Sequence, residues 1–201
     1  MHYSYLALGD SYTIGEQVAT EDNFPHQTAR LLQQQQIAIN PPEIIATTGW
    51  TTDELNTAID AANISTQFDI VSLLIGVNNQ YRGREVINFK TEFENLLQRS
   101  IHFAGNQPKH VFVLSIPDWG VTPFAADRDR DKIAAEIDAY NTICENAALQ
   151  FGTHFIDITS SQRKDGDKED FLATDKLHPS AKEYTKWAMQ LATAIQKQFN
   201  K

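Results

Sequence analysis

Four stretches spread along the chain hold residue types that together can transfer an acyl group: Gly9-Asp10-Ser11-Tyr12-Thr13, Thr47-Thr48-Gly49-Trp50-Thr51, Gly76-Val77-Asn78-Asn79 and Asp175-Lys176-Leu177-His178-Pro179. The Ser11 hydroxyl is a weak nucleophile and needs a base to take its proton. A neutral imidazole is the usual base near neutral pH, and His178 is the candidate. The imidazole in turn needs a carboxylate that holds its tautomer and stabilises the cation formed during attack. Asp175 lies three residues upstream, within local reach. Acyl transfer also needs hydrogen-bond donors aimed at the oxyanion, and losing one typically costs about 2.7–4 kcal/mol of transition-state stabilisation. The backbone amides of Ser11 and Gly49, with the Asn78 carboxamide, supply three. Gly49 has no Cβ and lets a substrate approach the main chain, while the helix start at Thr51 adds the positive end of a dipole. Gly9 serves a tight strand-to-loop turn, and Asp10 orders that loop by accepting backbone amides.

Residues so far apart need a scaffold that brings strand ends together. Short apolar runs with the length and β-branched content of buried strands occur at Tyr3–Leu8, Glu43–Ala46, Ile70–Ile75, His110–Ile116 and His154–Ile158. Between them, Val86, Phe89, Phe93, Leu97 and Ile101 repeat at helical spacing, as do Ile133, Ile137, Tyr140, Cys144 and Ala148. Tyr184, Trp187, Leu191 and Ile195 form a third stripe near the C-terminus. Capping boxes are expected at Thr51-Thr52-Asp53-Glu54 and Ser180-Ala181-Lys182-Glu183, where hydroxyl and carboxylate can satisfy orphan amides reciprocally. Alternating strands and helices predict an α/β fold with a parallel sheet, and five strands suit the flavodoxin-like order 2-1-3-4-5. In such a sheet the ligand crevice lies beyond the carboxyl ends of the strands, where the Ser11, Gly49 and Asn78 loops fall. No internal repeat or linker interrupts residues 1–201, which read as one domain.

Taken together and in order, the four stretches resemble the four blocks of the SGNH hydrolases, also called GDSL esterases. The resemblance spans Gly9 to Pro179. It implies a three-layer α/β/α sandwich and metal-free hydrolysis of carboxylic esters or thioesters, with Ser11, Gly49, Asn78 and His178 as the name-giving residues. Asp175 then completes the family triad. Two positions depart from the pattern. Tyr12 stands where the family has the leucine of GDSL, a change to packing or to the pocket wall. Asn79 puts a neutral amide where the third block usually has a carboxylate that helps to fix the loop.

Composition narrows the partners. The 201 residues carry 41% apolar and 21% charged side chains, an ordinary globular balance. The formal net charge of -9 repels phosphate backbones and anionic membranes, so no nucleic acid and no stable membrane insertion is expected and small neutral substrates stay open; the resemblance makes the expected partner a small-molecule ester. No run approaches the ~18 apolar residues of a membrane span and no signal core is visible, so a cytoplasmic location is expected. An exported domain without its leader has the same composition. Cys144, the single cysteine, reads as a buried small hydrophobe. The remaining histidines, His2, His26, His102, His110 and His154, show no metal spacing, and neither metal nor other cofactor is expected. Asp127-Arg128-Asp129-Arg130-Asp131 mimics the opening of a calcium loop, but Lys132 stands where glycine is required, so the segment reads as a solvated helix start.

Several readings stay open on the sequence. Trp119 and Phe124 either line the pocket or anchor their loop on the core, and Tyr81, Arg82 and Arg84 pose the same question. The charged segment Lys164–Asp170 faces solvent or borders the site. The same machinery serves an ester hydrolase or a carbohydrate O-deacetylase. Outside catalysis, the hydroxyl-rich Ser11-Tyr12-Thr13 loop suits a noncatalytic flavodoxin-like phosphate-binding module, which the carboxylate of Asp10 disfavours.

Overall fold

Each apolar run is followed by at least one helix before the next, and such crossovers join strands that run the same way. The computed structural model describes residues 2–199. In chain order the elements are β1 (Tyr5–Gly9), α1 (Ser11–Ile14), α2 (Phe24–Gln34), β2 (Glu43–Ala46), α3 (Thr52–Ala62), β3 (Ile70–Leu74) and α4 (Val77–Tyr81). They continue with α5 (Val86–Phe103), β4 (Val111–Leu114), α6 (Arg130–Phe151), β5 (His154–Ile156), α7 (Thr159–Asp165) and α8 (Ala181–Phe199).

The strands form one sheet, parallel as the alternation of elements predicts, in the expected flavodoxin-like order β2-β1-β3-β4-β5. Its register places Ile45, Leu8, Leu73, Val113 and Phe155 side by side in one row across all five strands. Strands β1, β3 and β4 are buried throughout, whereas the edge strands β2 and β5 are only partly covered. The runs at Tyr3, His110 and Ile158 are shorter as strands than as apolar stretches. Tyr3 makes only an isolated bridge to Ile39, and the chain past Ile156 turns into α7.

Helices α2 and α8 pack on each other, and α5 packs against α3 and α6, which makes the two outer layers of an α/β/α sandwich. The stripe Tyr184, Trp187, Leu191 and Ile195 of α8 is fully buried, and so is Ile137, Tyr140 and Cys144 in α6. Burying such side chains contributes roughly 1.5–3 kcal/mol each. Val86 leaves its stripe, being 37% exposed at the first turn of α5.

Of the two expected capping boxes, the first forms in full and the second only by half, the Ser180 hydroxyl accepting the Glu183 amide at 3.4 Å. Glu54 accepts the Thr51 amide at 2.9 Å, and the Thr51 side chain answers the N3 backbone. At Ser180 the amide bonds the Phe171 carbonyl instead, and the Glu183 carboxylate turns inward to accept the Trp187 indole at 2.9 Å and pair with Lys186 at 2.7 Å. Among the described residues no helix is long and apolar enough to cross a membrane.

Candidate active site

Ser11 is the first residue of α1, directly beyond the carboxyl end of β1, so its amide is one of the orphan donors of a helix start. The turn is tight. A Cβ at Gly9 would overlap the Thr13 hydroxyl and the Leu74 carbonyl, so glycine is required there by packing. Asp10 caps the turn by accepting the Tyr12 amide at 3.0 Å. Its carboxyl is 1% exposed, and burial pushes it up to about 7 in spite of the backbone hydrogen bond it accepts.

His178 arrives from the loop before α8. Its Nε2 lies 3.0 Å from Ser11 Oγ, and its Nδ1 lies 2.6 Å from Asp175 Oδ2. Asp175 Oδ1 also accepts the Leu177 and His178 amides, each at 3.0 Å, which folds the Asp-x-x-His segment onto itself. Burial alone would raise the Asp175 carboxyl, but the hydrogen bonds from the His178 ring and these two amides hold it below its ordinary value. An ionised carboxylate only accepts, so the proton of the imidazole sits on Nδ1 and Nε2 is left as an acceptor facing the serine hydroxyl. The Tyr12 ring stands tilted against the imidazole at 5.3 Å and against Trp187 at 6.1 Å, so the residue that departs from GDSL is packing behind the histidine and also borders the cavity.

The sequence-expected donors converge on the same place. Ser11, Gly49, Asn78 and His178 line one cavity of about 210 Å³, closed by Tyr81, Trp119 and Phe124. Gly49 has φ 86°, a left-handed conformation that favours glycine. One hydrogen of Asn78 Nδ2 goes to the Trp50 carbonyl at 2.9 Å, which ties the carboxamide to the Gly49 loop. Asn79, where the family pattern has a carboxylate, is 1% exposed and grips the start of α3 by accepting the Thr52 amide at 3.1 Å.

Tyr81, Trp119 and Phe124 lie on the cavity wall, with ring centroids 5.3 Å apart for the first pair and 6.1 Å for the second. Trp119 is held from behind. Its indole donates to Gln80 at 2.7 Å, and Gln80 donates in turn to Glu136 at 2.7 Å. Arg82 and Arg84 are anchors, bonded to Glu54 and Asp53 of α3. The cavity also takes in Thr48, Val77 and Leu177, members of the four stretches to which the sequence assigns no chemical role.

Other candidates stay away from this cavity. Asp129 is the N-cap of α6, so the Asp127–Asp131 segment is a helix start. Cys144 is buried in α6, and burial pushes its thiol well up. The segment Lys164–Asp170 makes its own ion pairs, Lys168 and Lys186 with Asp165. Among the described residues no three His, Cys, Asp or Glu side chains gather as a metal centre would need.

This arrangement belongs to a class of α/β/α hydrolases. The family description "GDSL-like Lipase/Acylhydrolase" matches residues 7–186, nearly the whole chain. The chain belongs to that family, and with it to the carboxylic ester hydrolases. Comparison with curated proteins gives no match. Solved structures with the same fold include the lipase/acylhydrolase from Enterococcus faecalis, at 18% identity and a TM-score of 0.77 over 98% of this chain and 97% of that one. The psychrotrophic esterase EstA from Pseudoalteromonas sp. aligns at 16% identity and a TM-score of 0.76, over 99% of this chain and 100% of its own. Axe2, an acetylxylan esterase from Geobacillus stearothermophilus, aligns at 17% identity and 0.73, over 98% and 93%.

Proposed function

We propose that the protein hydrolyses small carboxylic esters carrying a short acyl or aryl group, through an acyl-enzyme on Ser11. The observation that carries this reading is the 3.0 Å approach of His178 Nε2 to Ser11 Oγ at the mouth of a cavity of about 210 Å³. Ser11 Oγ attacks the ester carbonyl carbon as its proton passes to His178 Nε2. The carbonyl π electrons move onto oxygen, where the Ser11 and Gly49 amides and the second hydrogen of Asn78 Nδ2 receive the charge. Asp175 supports the imidazolium. Collapse expels the alkoxide, which takes the proton from His178, and water repeats the sequence to free the acid.

Cavity size supports a small acyl group. A cavity of about 150 Å³ accommodates benzene. The Ser11 cavity, at about 210 Å³ with four aromatic side chains in its wall, suits a ring or a short chain in addition to the carbonyl. Family membership argues against the noncatalytic phosphate-binding reading. Deacetylation of a carbohydrate uses the same five residues, and the fold shared with Axe2 keeps it as the second reading.

The test is hydrolysis of a 4-nitrophenyl ester series by the wild type and by Ser11→Ala. The expected result is activity on acetyl to butyryl esters that Ser11→Ala abolishes; equal rates in the two proteins would refute the assignment. A preference for acetylated oligosaccharide over aryl acetate would replace the first reading with the second.

A further inference from the structure

Asn78 is not the only side chain that the α4 segment sends to the Gly49 loop. Arg82 follows α4 by one residue, and its amide closes on the Asn78 carbonyl at 3.0 Å, so the two side chains travel on one turn. Arg82 Nη2 donates to the Gly49 carbonyl at 2.6 Å across 33 residues, and Nη1 donates to Glu54 at 3.1 Å. Glu54 is also the acceptor of the Thr51 amide. Three successive residues of the loop are therefore fastened: the Gly49 carbonyl by Arg82, the Trp50 carbonyl by Asn78 and the Thr51 amide by Glu54.

We infer that Arg82 is a positioning residue of the oxyanion site: by holding the Gly49 carbonyl it fixes the torsions of a glycine at φ 86° and so aims the Gly49 N–H at the reacting oxygen. Glycine loses more conformational freedom on ordering than any other residue, so a donor on glycine needs an external hold to stay aimed. The guanidinium fork supplies that hold because N–H groups on two different nitrogens of one rigid plane reach the two acceptors, a geometry that the single rotatable nitrogen of an ammonium matches only in part. Arg82 touches no reacting atom in this account. The inference rests on the reading of Ser11, Gly49 and Asn78 as oxyanion donors.

Exposure separates this role from a merely structural one. The Arg82 and Glu54 side chains are 43% and 40% exposed, and exposed pairs of this kind contribute little to folding. Arg82→Gln should fold like the wild type, with an unchanged thermal midpoint. Its kcat for a short 4-nitrophenyl ester should fall about tenfold with KM changed less than twofold, because the lost interaction matters in the transition state. Affinity for phenylboronic acid, whose tetrahedral adduct on serine mimics that state, should weaken by a similar factor. Arg82→Lys should recover only part of kcat. Wild-type kcat in Arg82→Gln, or a loss confined to KM or accompanied by a matching drop in thermal midpoint, would overturn the inference. If Ser11→Ala proved fully active, the underlying catalytic reading would fall instead, so the two failures are distinguishable.

Discussion

Asn79 and Thr52 hydrogen-bond each other twice: Asn79 Oδ1 accepts the Thr52 amide at 3.1 Å, and Asn79 Nδ2 donates to the Thr52 hydroxyl at 2.7 Å. The hydroxyl in turn donates a hydrogen bond to the Glu92 carboxylate of α5. A buried amide on α4 and a carboxylate on α5 thus hold the first turn of α3 from two sides, and the residue that departs from the family pattern still ties its segment to a neighbouring helix.

This relay predicts an incompatibility. In Asn79→Asp the new carboxylate and Glu92 would compete for one hydroxyl proton, leaving a buried acceptor unsatisfied at a cost of about 1–3 kcal/mol. Adding Glu92→Gln restores a donor to Thr52 and should recover much of that loss. Urea denaturation of both single variants and the double variant checks it. Coupling of at least ~1 kcal/mol is expected, and simple additivity would count against the relay.

Trp119 should set acyl length. It closes the cavity wall while Gln80 and Glu136 hold its indole. Trp119→Leu widens the cavity, so kcat/KM for hexanoyl relative to acetyl esters should rise roughly tenfold, within the range a pocket gains per methylene it admits. An unchanged chain-length profile would place the acyl group elsewhere.

Asp10 should make the native state sensitive to pH. Its native carboxyl is raised to about 7, so below about pH 4 both native and unfolded chains are protonated and the stabilisation is fully present. Between about 4 and 7 only the unfolded chain releases the proton, and native stability falls as pH rises, by at most roughly 4 kcal/mol. Asp175 has the opposite sign: its lowered native value stabilises above the unfolded range and is lost only as acid titrates it. Asp10→Asn keeps an acceptor for the Tyr12 amide but removes the titration. Its stability relative to wild type, measured by urea denaturation from pH 4 to 8, should improve through about pH 7; a pH-independent difference would contradict this account.

Much of this was legible before any coordinates. Strand–helix alternation is enough for a parallel sheet, because parallel neighbours demand crossovers, while the order 2-1-3-4-5 is one of the doubly-wound orders that alternation allows; the Trp187 and Tyr140 stripes announce their buried faces through spacing alone. Helix α2 is less visible, although Asn23 accepts the His26 amide at its start and Pro25 fits its first turn. The box expected at Ser180 forms only by half for a tertiary reason: the Trp187 indole and Lys186 compete successfully for the Glu183 carboxylate. Local pattern carries the Asp175–His178 contact, since three residues separate the partners. Nothing local carries the bond between Arg82 and Gly49, or the choice of Trp119 as wall and Arg84 as anchor, because those depend on where loops from different strands meet.

The central claim is that His178 makes Ser11 a nucleophile, and covalent capture tests it most directly. Wild type, Ser11→Ala and His178→Asn are treated with a fluorophosphonate and the adduct is located by peptide mass spectrometry. A single adduct on Ser11 in the wild type, absent from Ser11→Ala and slowed at least ~100-fold in His178→Asn, is the expected result. A wild type that stays unlabelled, or labels equally fast without the imidazole, would contradict the account.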